Sequence, residues 1–384
     1  MDRYPAFGGH KEAVKEALVD RLRAAGEAGT PVRFAGAGTK LRWGAPVEGA
    51  EVLRLEAREI HEHNAGDLTA VVDAGLPLHE LQETLAQEGQ MLALDPPLGD
   101  EARATIGGIV ATSDSGPLRH RYGSARDLVV GMTIALSDGT VAQSGGKVIK
   151  NVAGYDLSKL FTGSYGTLGA ILKLSLRLHP LSPENATAVG RSPDPAALAA
   201  AALELSHARI ELQSLDARWE AGAGIVLARF GGTRASAPAE DAAETMKSHG
   251  LQTELSADDA EWWGDQREAQ RSDSSVVVRI SGVQNQLGAV LEAGRHLGAR
   301  VVGRAGLGLS WITLPNGDHA AGTVQDLRRT FAPSPCVVLD APDSVRAAVD
   351  VWGERDAGAV TLGKRVKERF DPADICAPGL MEGQ

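Results

Sequence analysis

The chain reads DPPLGDEARATIGGIVATSDSGPLRHRYGSARDLVVG over residues 95–131 and TGSYGTLGAILKLSLRLHP over residues 162–180. Glycines recur in both stretches at turns between strand-like runs, without the monotony of a flexible linker. Because glycine carries no Cβ, it lets the backbone approach another molecule closely. A smaller glycine turn, RFAGAGTK, lies upstream at residues 33–40. Two such loops predict that an extended dinucleotide is bound along its whole length.

Composition limits the classes of function. The chain has 384 residues, too many for one ordinary core, and about two domains are expected. Its 43% hydrophobic and 23% charged residues are typical of a soluble globular protein. The net charge of −11 argues against nucleic acid as a partner but allows a small anionic ligand in a local positive pocket. The two cysteines, Cys336 and Cys376, indicate neither a disulfide framework nor a metal centre.

Targeting and membrane segments are not apparent in the sequence. The first residues, MDRYPAFGGHKEAVKEAL, lack the apolar core of a signal peptide. No apolar run approaches the roughly 18 residues that a membrane span requires. We therefore expect a cytoplasmic protein without an integral membrane segment.

Helix and strand patterns alternate in the first half of the chain. Apolar spacing predicts a helix over residues 11–25, and strands over 69–73 and 168–178. After Pro180 three further prolines mark a boundary, and the large glycine motifs stop. An Ala-rich helix over 195–207 and a strand over 210–214 follow, and the same order of elements recurs loosely up to residue 331. This order predicts an antiparallel sheet with helices packed on one face.

The first glycine turn is a candidate anion-binding nest. It is not a Rossmann fingerprint, because Leu41 stands where the third glycine would be. Taken alone, such a turn is more often an ordinary connection between a strand and a loop. Combined with the downstream loops, the N–H groups of residues 36–39 are expected to surround a diphosphate whose charge Lys40 helps to balance. Residues 105–108 predict the start of a short helix whose first donors face the same phosphates or a ring edge.

Residues 31–180 resemble the FAD-binding domain of the vanillyl-alcohol oxidase type, also called the p-cresol methylhydroxylase (PCMH) type. Within that family, the stretches at 104–131, 147–172 and 176–183 are similar to the FAD-binding E subunits of bacterial glycolate oxidases. The sharpest piece is KNVAGYD at residues 150–156. The resemblance covers the first half strongly and the C-terminal tail weakly, and the middle matches only in element order.

The resemblance implies an α+β fold in three segments. A PCMH-type two-lobed FAD-binding domain would span residues 1–181. An α+β (ferredoxin-like) cap domain with an antiparallel sheet would span residues 182–350. Residues 351–384 would return to the FAD-binding domain. FAD would be bound non-covalently. The residues that the resemblance and the turn chemistry place at FAD are Gly36, Ala37, Gly38, Thr39, Lys40, Pro96, Pro97, Thr105, Gly107, Gly108, Ala111, Thr112, Gly116, Tyr122, Gly163, Ser164, Gly166, Gly169 and Ile171.

The implied function is that of an oxidoreductase subunit that takes part in oxidising glycolate to glyoxylate. Its implied partners are a small 2-hydroxy-acid substrate, a second flavoprotein subunit and an iron–sulfur subunit, which would bring the protein to the inner membrane peripherally. Two alternatives stay open: a self-sufficient FAD-dependent dehydrogenase of D-lactate or glycolate, and a flavin-free structural subunit.

The chain departs from the family pattern at three places. Ala37 and Ala377 stand where glycine and asparagine are usual. Gly306-Leu307-Gly308 stands where the catalytic D-type subunits have a Gly-Glu-His-Gly segment. No catalytic residue is therefore assigned from the sequence.

Two groups of polar residues remain open to more than one interpretation. His61 and His63 lack a third metal ligand nearby, which favours a solvated turn over a metal site. Arg119, His120, Arg121, Tyr122 and Arg126 fit either a carboxylate-binding site or structural ion pairs with Asp127 or Asp156.

Overall fold

A computed structural model of the chain describes residues 9–146, 156–315, 317 and 319–381. Most of the KNVAGYD motif, residues 150–155, lies outside these ranges. Among the described residues, no helix combines the length and the apolar character needed to cross a membrane.

The described elements alternate along the chain. The helices are α1 (Gly9–Ala28), α2 (Leu78–Ala86), α3 (Ile106–Thr112), α4 (Arg119–Tyr122), α5 (Ala125–Leu128), α6 (Leu157–Phe161), α7 (Pro195–His207), α8 (Ser236–Ser248), α9 (Ala260–Glu268), α10 (Leu287–Leu297), α11 (Ala320–Phe331), α12 (Asp343–Ala348) and α13 (Ala357–Phe370). The strands are β1 (Val32–Ala35), β2 (Glu51–Arg54), β3 (Ile60–Asn64), β4 (Thr69–Asp73), β5 (Gln90–Met91), β6 (Val129–Ala135), β7 (Val141–Gly145), β8 (Ala170–Arg177), β9 (His179–Pro180), β10 (Asn185–Ser192), β11 (Ser214–Glu220), β12 (Ala223–Gly231), β13 (Gln252–Ser256), β14 (Val277–Ser281), β15 (Arg300–Arg304), β16 (Leu309–Thr313) and β17 (Cys336–Asp340).

A five-stranded antiparallel sheet in the order β3-β4-β8-β6-β7 organises the first half of the chain. Both of its faces are covered, so its central strands β4 and β8 are buried along nearly their whole length. Leu174 of β8 belongs to one core, together with α2 and α3. Ile171 belongs to the same core. The next residue along the strand, Leu172, belongs to a second core with Leu22 of α1 and Leu53 of the parallel pair β1–β2. The sheet therefore separates two layers, which is the two-lobed arrangement expected for this domain.

An eight-stranded antiparallel sheet organises the second half, in the order β13-β10-β12-β11-β15-β16-β14-β17. Each half of this sheet is a β-α-β-β-α-β unit whose strands lie in the spatial order 4-1-3-2, the ferredoxin-like arrangement. The two units join where β11 pairs with β15. The loosely repeated order predicted from the sequence is therefore a structural repeat, and the expected α+β cap with an antiparallel sheet is confirmed.

The C-terminal residues pack against the first lobe. The N–H of Val32 donates to Ile375 O, and the N–H of Ala377 donates to Val32 O. Ala377 has a φ of +47°, a left-handed conformation that asparagine adopts more readily than alanine. The limits 1–181, 182–350 and 351–384 stay predictions.

His61 and His63 lie on a strand, so the expectation of a solvated turn is wrong. Both belong to β3, which pairs with β4. His61 Nε2 lies 2.7 Å from Oδ1 of the buried Asp73, and the Lys15 ammonium lies 2.6 Å from the same oxygen. Burial opposes ionisation of Asp73, but the bonds to His61, Lys15 and the N–H of Glu59 together lower its pKa to about 2. Glu59, His61 and Asp73 could place three ligand atoms within 4.8 Å of one another. Lys15 already supplies a positive charge to this group.

Candidate functional site

The first glycine loop, residues 36–40, leaves the end of β1 and lines a cleft. Within the described part of the chain, the backbone N–H groups of these five residues have no hydrogen-bond acceptor. Gly38 has a φ of +85°, which reverses the chain direction without steric cost. A run of unpaired N–H groups in a turn forms a concave surface that attracts an anion. The loop thus has the property that the sequence predicted for it.

The second loop begins α3 and touches the first. A Cβ built on Gly36 would lie 2.2 Å from Thr105 Oγ1, so the close approach of the two loops requires glycine at position 36. The first N–H groups of α3 are already used: Ile106 donates to Leu76 O, Gly107 to Ala74 O and Gly108 to Thr105 Oγ1. The expectation that these donors face the phosphates is therefore wrong. The second loop contributes its shape rather than its first N–H groups.

The two loops and the start of β8 line one open cleft. The structure brings together in its lining these residues predicted from the sequence: Gly36, Ala37, Gly38, Thr39, Lys40, Thr105, Gly107, Gly108, Ala111, Thr112, Gly166, Gly169 and Ile171. Residues far apart in the chain thus form one elongated surface with little side-chain bulk. That surface fits an extended ligand such as FAD.

Gly107 and Gly108 serve different purposes in this lining. A Cβ on Gly107 would lie 2.6 Å from the Ala74 Cβ and 2.8 Å from its carbonyl oxygen, so this glycine is required by packing inside the protein. A Cβ on Gly108 would meet only Thr105 Oγ1, at 3.3 Å. Gly108 is also partly exposed, whereas Gly107 is buried. Open space for a ligand therefore lies in front of Gly108.

Six residues predicted at FAD do not line the cleft. Gly116 is needed elsewhere, because a Cβ there would lie 1.7 Å from Asp95 O. The Tyr122 ring packs on His179 with centroids 4.7 Å apart, and the Ser164 hydroxyl donates to Phe161 O. The remaining three are Pro96 and Pro97, which are buried, and Gly163, whose nearest neighbour is Ser113. Contact between these six residues and FAD stays a prediction.

Seven residues of the lining were not predicted from the sequence. They are Arg33, Phe34, Ala35, Leu41, Leu55, Ala74 and Tyr165. Arg33 to Ala35 precede the glycine turn directly and could have been included with it. Ala74 follows β4 and carries no pattern that distinguishes it from any strand end. Tyr165, with a φ of +56°, stands between two glycines of the loop at residues 163–166.

Charged side chains behind the first loop connect the two halves of the chain. The Lys40 ammonium lies 3.3 Å from Asp114 Oδ2, with both side chains 5% exposed. Burial lowers the pKa of Lys40, whereas the charge of Asp114 opposes that change. Beside them, Arg271 lies over the Trp43 ring and pairs with Asp340 at 2.6 Å. A diphosphate beside the loop would share the positive charge of Lys40 with Asp114.

The basic residues of α4 and its surroundings do not form the ion pairs expected with Asp127 or Asp156. Arg121 pairs instead with Glu211 of the cap, at 3.1 Å. Asp127 accepts hydrogen bonds from the N–H and hydroxyl of Ser124. Of the charged residues that the structure describes, no carboxylate lies within 4.0 Å of Arg119, whose Nη1 donates to Ser115 Oγ. Arg121 therefore has a structural ion pair, whereas the charge of Asp127 acts on Arg119 only from beyond ion-pair distance.

Asp95 predicts a dependence of stability on pH. Burial raises the pKa of its carboxyl to about 7, although the charges of Arg267 and Arg304 oppose that rise. An unfolded chain ionises the same group near 3.9. Because the folded state holds the proton more tightly, Asp95 reduces stability as the pH rises from about 4 to about 7. The stability of Asp95→Asn relative to the unsubstituted chain should therefore increase with pH.

Urea unfolding at about pH 5 and about pH 8 measures this effect. The amide oxygen of asparagine can still accept the hydrogen bond from the Leu118 N–H, so the local contact is preserved. Equal shifts in the free energy of unfolding at both pH values would show that Asp95 does not titrate in this range.

Comparison with known proteins agrees with the geometry of the cleft. A family model described as an FAD binding domain matches residues 13–145. The chain is 39% identical over 166 residues to the glycolate oxidase subunit GlcE of Escherichia coli, covering 43% of this chain and 47% of that protein. It is also 39% identical over 160 residues to a D-lactate dehydrogenase of Archaeoglobus fulgidus, covering 41% of this chain and 35% of the dehydrogenase. The matches thus span less than half of these relatives.

The fold extends further than the sequence similarity. A solved structure of alkyldihydroxyacetonephosphate synthase superposes on 94% of this chain and 75% of its own, with a TM-score of 0.69 and 15% identity. At that identity the likeness concerns the fold alone. Residues 13–145, about a third of the chain, therefore match this FAD-binding domain.

Proposed function

We propose that this chain is an FAD-dependent oxidoreductase subunit that takes part in oxidising a small 2-hydroxy acid, glycolate, to the corresponding 2-oxo acid, glyoxylate. The observation that carries the proposal is the run of unpaired N–H groups at residues 36–40, facing a cleft in which Gly108 leaves space. The similarity to GlcE supports the subunit role and glycolate as the substrate.

The residues of the cleft fit FAD as a bound group. The N–H groups of residues 36–40 would hold its diphosphate, and Gly108 would admit its flat parts closely. When bound, FAD supplies the acceptor for the hydride that leaves the hydroxyl-bearing carbon. The chain's own part is to bind and orient FAD and to exclude water from it. No covalent attachment is proposed.

Electrons are proposed to leave through partner subunits. The two cysteines are both buried and lie in different elements, Cys336 in β17 and Cys376 in the C-terminal segment. They cannot supply the cysteine set of an iron–sulfur cluster. We therefore propose a second flavoprotein subunit and an iron–sulfur subunit as partners, and a cytoplasmic location at the inner membrane that depends on them.

Absorption of the purified chain tests the proposal. Bound FAD should give bands between about 350 and 500 nm, and reconstitution with added FAD should increase them. Anaerobic glycolate should bleach these bands in a complex with the partner subunits. A colourless chain that cannot be reconstituted would contradict FAD binding in this cleft and favour a structural subunit.

A self-sufficient dehydrogenase is the second candidate. The 39% identity to the D-lactate dehydrogenase of Archaeoglobus fulgidus favours it. Turnover of D-lactate or glycolate by the isolated chain with an artificial electron acceptor would distinguish it from the subunit. Absence of turnover in a chain that retains FAD would favour the subunit role.

A further inference from the structure

The inner face of the cap sheet, which faces the FAD-binding domain, carries Arg279 and Arg304. Arg279 of β14 lies opposite Trp311 of β16, which lies opposite Val302 of β15. Residues directly opposite one another share a face, and so do residues two apart on one strand, so Arg304 is on this face too. Gln270 connects this face to the other domain, since its amide donates to Ser115 O and its carbonyl accepts from Arg304.

The charge of Arg304 is neutralised within the protein. Its Nη1 donates to the carboxylate of Asp216, and the two side chains are 1% and 0% exposed. This pair supports the junction of the two cap units, where β11 meets β15. Arg304 is therefore structural and has no charge left for a ligand.

Arg279 is not neutralised in this way. Within the described ranges, no carboxylate lies within 4.0 Å of its guanidinium, and its buried Nε has no hydrogen-bond partner. Across the domain boundary it interacts with the hydroxyl of Tyr165, which lines the cleft. Burial raises the pKa of the Tyr165 phenol, and the Arg279 guanidinium opposes that rise. Arg279 thus lies where the cap sheet meets the edge of the cleft.

Arg119 brings to the same place a second arginine that has no carboxylate within 4.0 Å among the described residues. It extends from α4 in the FAD-binding domain, and its Nη1 donates to Ser115 Oγ at 3.3 Å. Burial and the positive charge of Arg279 lower the pKa of Arg119, whereas the charge of Asp127 opposes that change. Two partly buried arginines that repel one another are costly unless an anion accompanies them. The protein as a whole has a net charge of −11, so two neighbouring arginines at the cleft edge form a local positive site that favours a bound anion.

We propose that Arg279 and Arg119, with the Tyr165 hydroxyl at the cleft edge, bind the carboxylate of the 2-hydroxy-acid substrate. A guanidinium binds a carboxylate through two parallel hydrogen bonds, and a phenol can donate a third. The cleft would hold FAD on one side of Tyr165, and the arginines would hold the substrate on the other. This proposal rests on the proposed function and specifies how its substrate class is recognised.

Binding of oxalate tests this site without requiring turnover. Oxalate is a small carboxylate that has no C–H bond to oxidise. We expect calorimetric titration of the full chain, loaded with FAD, to show binding that weakens about tenfold or more in Arg279→Gln and in Arg119→Gln. Arg279→Lys should restore part of the affinity, because it keeps the charge but loses the two parallel bonds.

Arg218→Gln is the matched control. Arg218 lies opposite Val302 on the same face, but Asp265 lies 3.8 Å from its guanidinium and provides a counter-charge. The affinity of Arg218→Gln for oxalate should match that of the unsubstituted chain. Thermal unfolding should confirm that every variant is folded. Unchanged affinity in folded Arg279→Gln, or no oxalate binding by the unsubstituted chain, would overturn the carboxylate site. Retention of FAD, read from its absorption, reports on the proposed function separately.

Discussion

Gly108→Val is expected to abolish retention of FAD while leaving the cap folded. The valine Cβ itself would meet only Thr105 Oγ1, at 3.3 Å, so within the protein the substitution requires only a small shift of that side chain. Its two methyl groups, however, would project into the cleft where we propose that FAD lies. The absorption between about 350 and 500 nm per mole of purified protein measures the loss.

Gly322→Val is the control for this substitution. Gly322 lies on α11 in the cap, and a Cβ there meets nothing within 4 Å. This variant should keep its full flavin content. Gly107→Val is a poor test, because its Cβ would collide with Ala74 whether or not FAD binds. Full flavin content in Gly108→Val would exclude this part of the cleft as the FAD site.

Asp216→Ala is expected to destabilise the cap by about 3–5 kcal/mol. The substitution leaves the Arg304 guanidinium buried without its counter-charge, at the junction where the two cap units meet. The hydrogen bond from Arg304 to Gln270 would remain but cannot neutralise the charge. Urea unfolding followed by tryptophan fluorescence measures the change, since Trp311 and Trp219 are buried in this core.

Glu254→Ala provides the comparison. Glu254 accepts a hydrogen bond from Arg191 at 2.8 Å, and the two side chains are 50% and 46% exposed. An exposed pair of this kind contributes about 0–1 kcal/mol, because water screens the charges. If both substitutions cost the same, the Asp216–Arg304 pair is not the structural junction described above.

Local patterns predicted many of the elements. The Ala-rich helix over 195–207 has the bounds of α7, because Asp194 caps its N-terminus and Pro195 fits its first turn. The strand over 69–73 is β4, whose five residues are all buried. The strand expected over 210–214 instead begins at Ser214 and runs to Glu220, because pairing with β12 and β15 determines where it starts. Short strands depend on their partners more than on their own composition.

The candidate site was predictable only in part, because it too is formed by residues that lie far apart in the chain. Glycine turns at 36–40 and 105–108 are visible in the sequence because glycine marks positions without a Cβ. The sequence cannot show which glycine faces a ligand and which faces protein, and Gly107 and Gly108 differ in that respect. It also cannot show that Arg121 meets Glu211 whereas Arg119 meets no carboxylate among the described residues.

The sequence alone determined the repeated order of the cap elements and the glycine loops, because these depend on periodicity and on backbone freedom along a continuous segment; the domain type followed from the resemblance of those loops to a known family. Among the described residues, the tertiary structure decided which donors stay unpaired, which glycines face the cleft and which arginines have no carboxylate within 4.0 Å. Each of these depends on atoms that meet across long separations in the chain, such as Gly36 with Thr105 and Arg304 with Asp216. Such contacts form when the sheets pack together, and no local pattern encodes them.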